Sequence, residues 1–251
     1  MVEALYAHLV AGNIAALARL FPQIAALDTP LSGAVDGDEA LAAYVAREGA
    51  WLRERLARIG PAVRIEDDRH VAVELVLQLA RDGASYELPV AIIASKLSGS
   101  FGQIRVYRST WPIDGSHAYR APIRWPSTEL AEPPVVRAYF EGLARGDRDR
   151  VLQTFTQDGY VREPSGSSFI HSGPKGRAAF YEAVFGRPGG VPLVHVNSVW
   201  AGRVYAVEYI CAAWGPARFP PMPGCAFYEL TENGAAIRGV RIYDDVTPPS
   251  E

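Results

Sequence analysis

Sulfur and surplus charge are both scarce in this chain. Its 251 residues include 2 cysteines and 2 methionines. Cys211 and Cys225 stand 14 positions apart with no second pair, which excludes a disulfide framework and a cysteine-based zinc site and leaves two buried thiols as the expectation. Lys and Arg total 25 against 28 Asp and Glu, a formal net charge of -3, so the basic surface of a general phosphate binder is missing. No apolar run is long enough to span a bilayer, and "MVEALYAHLVAGNIAALARLF" carries no cationic leader with a cleavage site. These absences predict a cytoplasmic protein with no membrane and no nucleic acid as partner. The five histidines show no metal-ligand spacing, and no G-x-S-x-G, H-E-x-x-H, P-loop or dinucleotide fingerprint occurs. Chemistry without a metal or cofactor is the class left standing.

What the chain does have is repetition. "LYAHLVAGNIAALARLFPQIAALDTP" aligns without a gap on "AYFEGLARGDRDRVLQTFTQDGYVREP" at an offset of 134 residues. Leu9 falls on Leu143, Gly12 on Gly146, Leu17 on Val151, Phe21 on Phe155, Leu27 on Val161 and Pro30 on Pro164. At an offset of 136, "AAY" from Ala42 meets "AAF" from Ala178, "RVY" ending at Tyr107 meets "RIY" ending at Tyr243, and Pro112 meets Pro248. The order of these matches and their nearly constant offset predict two copies of one fold, residues 1–113 and 133–251. Residues 114–132, punctuated by Gly and Pro, read as a connector, and Tyr119 and Trp125 predict that it packs against a domain.

Each copy follows one plan. In the second, Val136, Tyr139, Phe140 and Leu143 recur at helical spacing between a proline start and the stop signal Gly146. Further helices are predicted over 149–155 and 176–185. Period-two alternation then takes over in "LVHVNSVW", "RVYAVEYICAAW", "GCAFYELTE" and "AIRGVRIYD". Three helices packed on a mostly antiparallel sheet make an α+β domain. The terminal "YDD", Tyr243 to Asp245, reads as a solvated strand end.

The helix ending Y-x-x-x-L-x-x-G-D (Tyr139, Leu143, Gly146, Asp147), followed seventeen residues after Gly146 by Glu163 before a proline, resembles the nuclear transport factor 2-like superfamily of ketosteroid isomerases and SnoaL-like cyclases. "HSG" and "AAFYE", from His171 to Glu182, are similar to the next helix of that family. The resemblance implies two tandem cone-shaped domains, each a strongly curved sheet wrapped by helices around a ligand pocket. It also implies Tyr139 as an oxyanion-stabilising donor and Glu163 as the general base, with Phe155, Tyr209, Cys211, Ala226 and His171 lining the substrate. A carboxylate in an apolar cone loses solvation, so its pKa rises from ~4.3 toward the range useful for moving carbon-bound protons. Ketosteroid isomerase is itself a standard worked case of this pairing. Tyr139→Phe and Glu163→Gln are expected to spare stability, since neither leaves a cavity.

One departure bears on the reaction. The isomerase's second oxyanion donor, an aspartate, corresponds to Ala226, which has nothing to donate; this argues against steroid isomerisation itself. Tyr209, His171 or Glu208 are the candidates to replace it. In the first copy Leu5 stands at the Tyr139 position and Thr29 at that of Glu163, so that copy is expected to be catalytically degenerate. Family dimers imply that it acts as a built-in partner, an intramolecular pseudo-dimer, with monomer or homodimer left open. The functional readings are a cofactor-independent cyclase, isomerase or lyase acting on an apolar polyketide- or terpenoid-like small molecule, a non-catalytic small-molecule-binding or protein-interaction module, and an epoxide hydrolase or cyclase.

Overall fold

The computed structural model describes residues 2–20, 27–29, 33–98, 100–115, 117, 121 and 130–244. The matches at Phe21, Pro30 and Pro248, with Asp245 and most of the expected connector, including Tyr119 and Trp125, lie outside the described residues. The chain divides into two compact units, Met1–Tyr119 and Arg120–Glu251.

Unit 1 runs α1 (Leu5–Ala11), α2 (Ile14–Leu20), β1 (Leu27–Thr29), β2 (Gly33–Val35), α3 (Asp38–Glu54), β3 (Arg58–Ile59), β4 (Val63–Glu66), β5 (His70–Arg81), β6 (Ala84–Leu97), β7 (Ser100–Tyr107) and α4 (Trp111–Asp114). Unit 2 runs α5 (Pro134–Arg145), α6 (Arg148–Gln153), β8 (Phe155–Arg162), β9 (Ile170–Ser172), α7 (Gly173–Val184), β10 (Leu193–Ala201), β11 (Val204–Trp214), β12 (Ala217–Leu230) and β13 (Ile237–Ile242). The sheet of unit 1 has the order β2-β1-β7-β6-β5-β3, with β4 also on β5, and that of unit 2 the order β9-β8-β13-β12-β11-β10. In each, the strand after the second helix pairs parallel with the last strand, β1 with β7 and β8 with β13. The α+β class holds, and the two units share one strand order.

Local chemistry explains why α5 begins and ends where it does. Prolines 133 and 134 fix the entry, and Val136, Tyr139, Phe140, Gly142 and Leu143 form the buried stripe. Burying such a side chain contributes about 1.5–3 kcal/mol. Gly146 ends the helix at φ 69°, where its N–H meets the carbonyls of Gly142 and Leu143. Asp147 then caps α6 by accepting from the Arg150 N–H at 3.0 Å. A Cβ at Gly146 would collide with the Gly189 carbonyl, so conformation and close approach both demand glycine. Gly12 closes α1 in the same left-handed conformation, φ 64°.

Three boundaries differ from the sequence reading. The second helix of unit 2 stops at Gln153, and Phe155 opens β8 instead. That strand is held by parallel pairing to β13 and by the buried Arg177, which donates to the Gly159 carbonyl, so its own alternation is weak. The third helix starts three residues early, at Gly173. Strand β12 begins at Ala217, running through Pro220, Pro221 and Pro223 beside a bulge at Cys211/Ala213, an irregular stretch that accommodates prolines.

Candidate active site

The interior of unit 2 gathers tyrosines from four elements. Tyr139 on α5, Tyr181 on α7, and Tyr205 and Tyr209 on β11 join Tyr228 on β12 in one buried cluster with Phe155, Cys211 and Ala226. The Tyr139 ring meets those of Phe140, Phe155, Tyr181 and Tyr228 edge-on, with centroids 5.4–6.1 Å apart. Tyr181 donates to the Tyr139 oxygen at 2.9 Å, and Tyr228 donates to it as well. A phenol oxygen has two acceptor sites and one proton. With both acceptor sites filled, the Tyr139 O–H is left to donate. Burial pushes its pKa up to about 12, with the two incoming hydrogen bonds pulling the other way, so the proton is present throughout the neutral range.

Tyr209 is positioned by strand alternation. Val207, Tyr209 and Cys211 share the face packed into the cluster. The Tyr209 ring lies against Gly224 on the neighbouring strand, where a Cβ would overlap it. Its hydroxyl donates to the carboxylate of Asp244, which is 8% exposed. Asp244 continues the inward parity of Val240 and Ile242 past the end of β13, so the expected solvated strand end is instead an interior carboxylate beside the buried Tyr243. That period-two continuation was the signal in the sequence that could have found it. The Asp244 charge raises the pKa of Tyr139, Tyr209, Tyr228 and Cys211, which puts all four within its electrostatic reach. The Cys211 thiol, buried and pushed up to about 12, stays protonated and sits 3.5 Å from the Ala213 carbonyl.

Residues 136–239 match the family model for the SnoaL-like domain. This part of the chain is a SnoaL-like domain. No curated protein matches the chain. Among solved structures it is similar to a putative polyketide cyclase from Sinorhizobium meliloti, at 19% identity over 44% of this chain and 94% of that one, with a TM-score of 0.37. It is also similar to a hypothetical protein with a ketosteroid isomerase-like fold from Catenulispora acidiphila, in complex with trimethylamine, at 17% identity over 46% and 88%, with a TM-score of 0.39. A putative polyketide cyclase from Xanthomonas campestris gives 22% identity over 43% and 86%, with a TM-score of 0.34.

Every site residue predicted from sequence lies inside the SnoaL-like match. Phe155 packs on Tyr139, and the Arg177 guanidinium stands 5.0 Å from the Phe155 ring centre. Ala226 is buried among the cluster and brings no polar group. Glu163 and His171 form a pair of their own, Oε1 to Nε2 at 2.6 Å, with side chains 35% and 29% exposed. The His171 ring lies 4.8 Å from that of Phe180, which in turn meets Tyr181 at 5.0 Å. Aromatic rings thus run from this pair to Tyr139, although among the described residues no hydrogen bond joins Tyr139 to Glu163. Glu208, a candidate donor at the sequence level, is buried and accepts from Asn197 at 2.7 Å. Among the described residues no group of three or more His, Cys, Asp or Glu could hold a metal ion. No described helix is long and apolar enough to cross a membrane.

Proposed function

We propose that the SnoaL-like domain catalyses proton transfer on an apolar, carbonyl-bearing small molecule of polyketide or terpenoid type, as a cyclase, isomerase or lyase that uses side chains alone. Tyr139 donates to the carbonyl oxygen as negative charge develops, and Asp244, held by the Tyr209 hydroxyl, accepts the proton. The observation that carries this reading is that Tyr181 and Tyr228 both hydrogen-bond the Tyr139 oxygen, which leaves the Tyr139 proton available to donate. Glu163 is the second candidate base, favoured by its imidazole partner at 2.6 Å. Cys211 and Cys225 are buried and are not joined in a disulfide, which supports the cytoplasm as its compartment.

Deuterium uptake at the α-carbon of a panel of apolar cyclic ketones and 1,3-diketones tests the assignment without a known product. Tyr139→Phe should slow uptake on the order of 10- to 1000-fold, since one preorganised donor is lost. Asp244→Asn should abolish most of it while Glu163→Gln leaves it largely intact. The reverse order transfers the base to Glu163. Tight binding of panel members with no uptake makes the domain a binding module and ends the enzymatic reading.

A further inference from the structure

A second carboxylate–imidazole pair lies on the other side of Tyr209. His195 on β10 is registered directly opposite Tyr209 on β11, and opposed residues of an antiparallel pair share one face. Its neighbour Val194 points the other way and is exposed. A bulge separates His195 from Asn197, the kind of irregularity that re-aims a side chain. The imidazole packs edge-on against Phe140, with centroids 3.9 Å apart, and Phe140 touches Tyr139 and Tyr228. His195 therefore belongs to the same interior as the tyrosine cluster.

Glu132, just ahead of the prolines that start α5, is hydrogen-bonded to His195 Nδ1, and its other oxygen is 3.8 Å from Arg137. The imidazole holds the Glu132 carboxyl below its usual range, against the opposing effect of burial. An ionised carboxylate can only accept, so Nδ1 carries the proton, and in the neutral imidazole Nε2 then presents a bare lone pair. That Nε2 is buried and has no hydrogen-bond partner among the described residues. Leaving a buried acceptor unpaired is costly, and such groups call for a physical explanation. A ligand proton supplies one.

We propose that His195 Nε2 is a second proton acceptor of this site, contacting an enol-, phenol- or ketone-type ligand, with Glu132 as its positioning residue. The proposal rests on the proton-transfer reading above and extends it. The ligand O–H or α-C–H bond breaks, its proton goes to Nε2, and the electron pair stays on the ligand as an enolate or phenolate hydrogen-bonded by Tyr139. Glu132 stabilises the imidazolium that results. Acceptors on both sides of Tyr209 let one take a proton and the other return it at a different atom, as an isomerisation or cyclisation requires.

The test uses the full chain with 15N-labelled histidine and 2-naphthol as a planar enol mimic. The nitrogen spectrum should show His195 protonated on Nδ1 and bare on Nε2, and 2-naphthol should shift the Nε2 resonance. Glu132→Gln should scramble this tautomer while the amide spectrum stays folded, an effect that a merely structural glutamate would not produce. His195→Gln, with His195→Asn as a second variant should the first not fold, should cut deuterium uptake on the order of 10²- to 10⁴-fold. An Nε2–H tautomer in the wild type overturns the proposal, and so does full uptake in a folded His195 variant. If the wild type itself takes up no deuterium, the proton-transfer reading fails, and the nitrogen spectrum still decides the dyad: a bare Nε2 that moves with 2-naphthol upholds it, and one that does not move overturns it.

Discussion

Removing the Tyr139 hydroxyl should cost stability as well as activity, and the size of the cost follows from its hydrogen bonds. Two buried phenols, Tyr181 and Tyr228, donate to that one oxygen. Tyr139→Phe keeps the ring and its edge-on contacts but strands both donors. Each lost bond is worth about 1 kcal/mol net and up to ~3 kcal/mol if the donor stays buried and unpaired, so the variant should be about 2–4 kcal/mol less stable. Tyr181→Phe removes one donor and leaves the Tyr139 oxygen its bond from Tyr228, so about 1 kcal/mol is expected. The double variant should show a coupling of about 1 kcal/mol between the two positions. Hydrogen exchange at amides of β11 and β12, followed as urea is added, reads unit 2 alone in a chain whose two units need not unfold together. A Tyr139→Phe protein as stable as wild type, or a Tyr181→Phe cost equal to that of Tyr139→Phe, would refute the assignment of Tyr139 as the shared acceptor and restore the expectation that the substitution is neutral.

Three further outcomes follow from named contacts. Gly224→Ala should displace the Tyr209 ring that rests on it, costing about 1–3 kcal/mol by overpacking and changing the near-ultraviolet dichroism, and an unchanged spectrum contradicts that contact. Glu132 has a depressed folded pKa, so the stability it contributes is fully present above pH 4.5 and is lost as pH falls through the folded value; acid unfolding of Glu132→Gln should lack that increment, and an unchanged acid limb contradicts the pairing with His195. In unit 1, Glu48→Leu should cost about 3–5 kcal/mol by stranding the buried Arg108 guanidinium 2.6 Å away, while Glu48→Leu with Arg108→Met should recover most of it, both read by exchange at β5 and β6 amides.

The features that came through from sequence are those written in local chemistry. Helix α5 carries its proline start and its stripe within 12 residues and its glycine stop directly after them, and the inward face of β11 alternates cleanly from Val207 to Cys211. Strand β8 did not come through, because its place depends on a parallel neighbour some eighty residues away and on Arg177 reaching its backbone. The site was legible in part. The burial of Tyr139, a candidate only, was legible in its helical spacing from Val136, Phe140 and Leu143. Asp244 was hidden at a strand end where charge is usually solvated, and only the parity of Val240 and Ile242 pointed inward. The Glu132–His195 pair spans 63 positions and no local pattern joins them. Contacts that close over such distances are products of topology, which single-residue chemistry does not encode.

The same strand end also separates the interiors of the two units. After "RVY" in unit 1 comes Arg108, and after "RIY" in unit 2 comes Asp244, equivalent positions at the offset of 136. Both side chains are buried. Arg108 is met by Glu48 from α3 at 2.6 Å, hydrogen-bonds the Tyr6 hydroxyl at 3.5 Å and stands 5.1 Å from the Trp51 ring centre. Burial disfavours its charge, but the Glu48 carboxylate outweighs that and raises its pKa, so the guanidinium is locked on and titrates at no accessible pH. Asp244 has a phenol, Tyr209, on its carboxylate, and its charge reaches Tyr139, Tyr228 and Cys211. A permanent cation held by a buried carboxylate fixes a core; the carboxylate of Asp244 is instead held by a neutral phenol. One strand order thus supports an interior built on an ion-paired cation in unit 1 and one built on a carboxylate among phenols in unit 2, and the difference lies in which charge follows the last tyrosine.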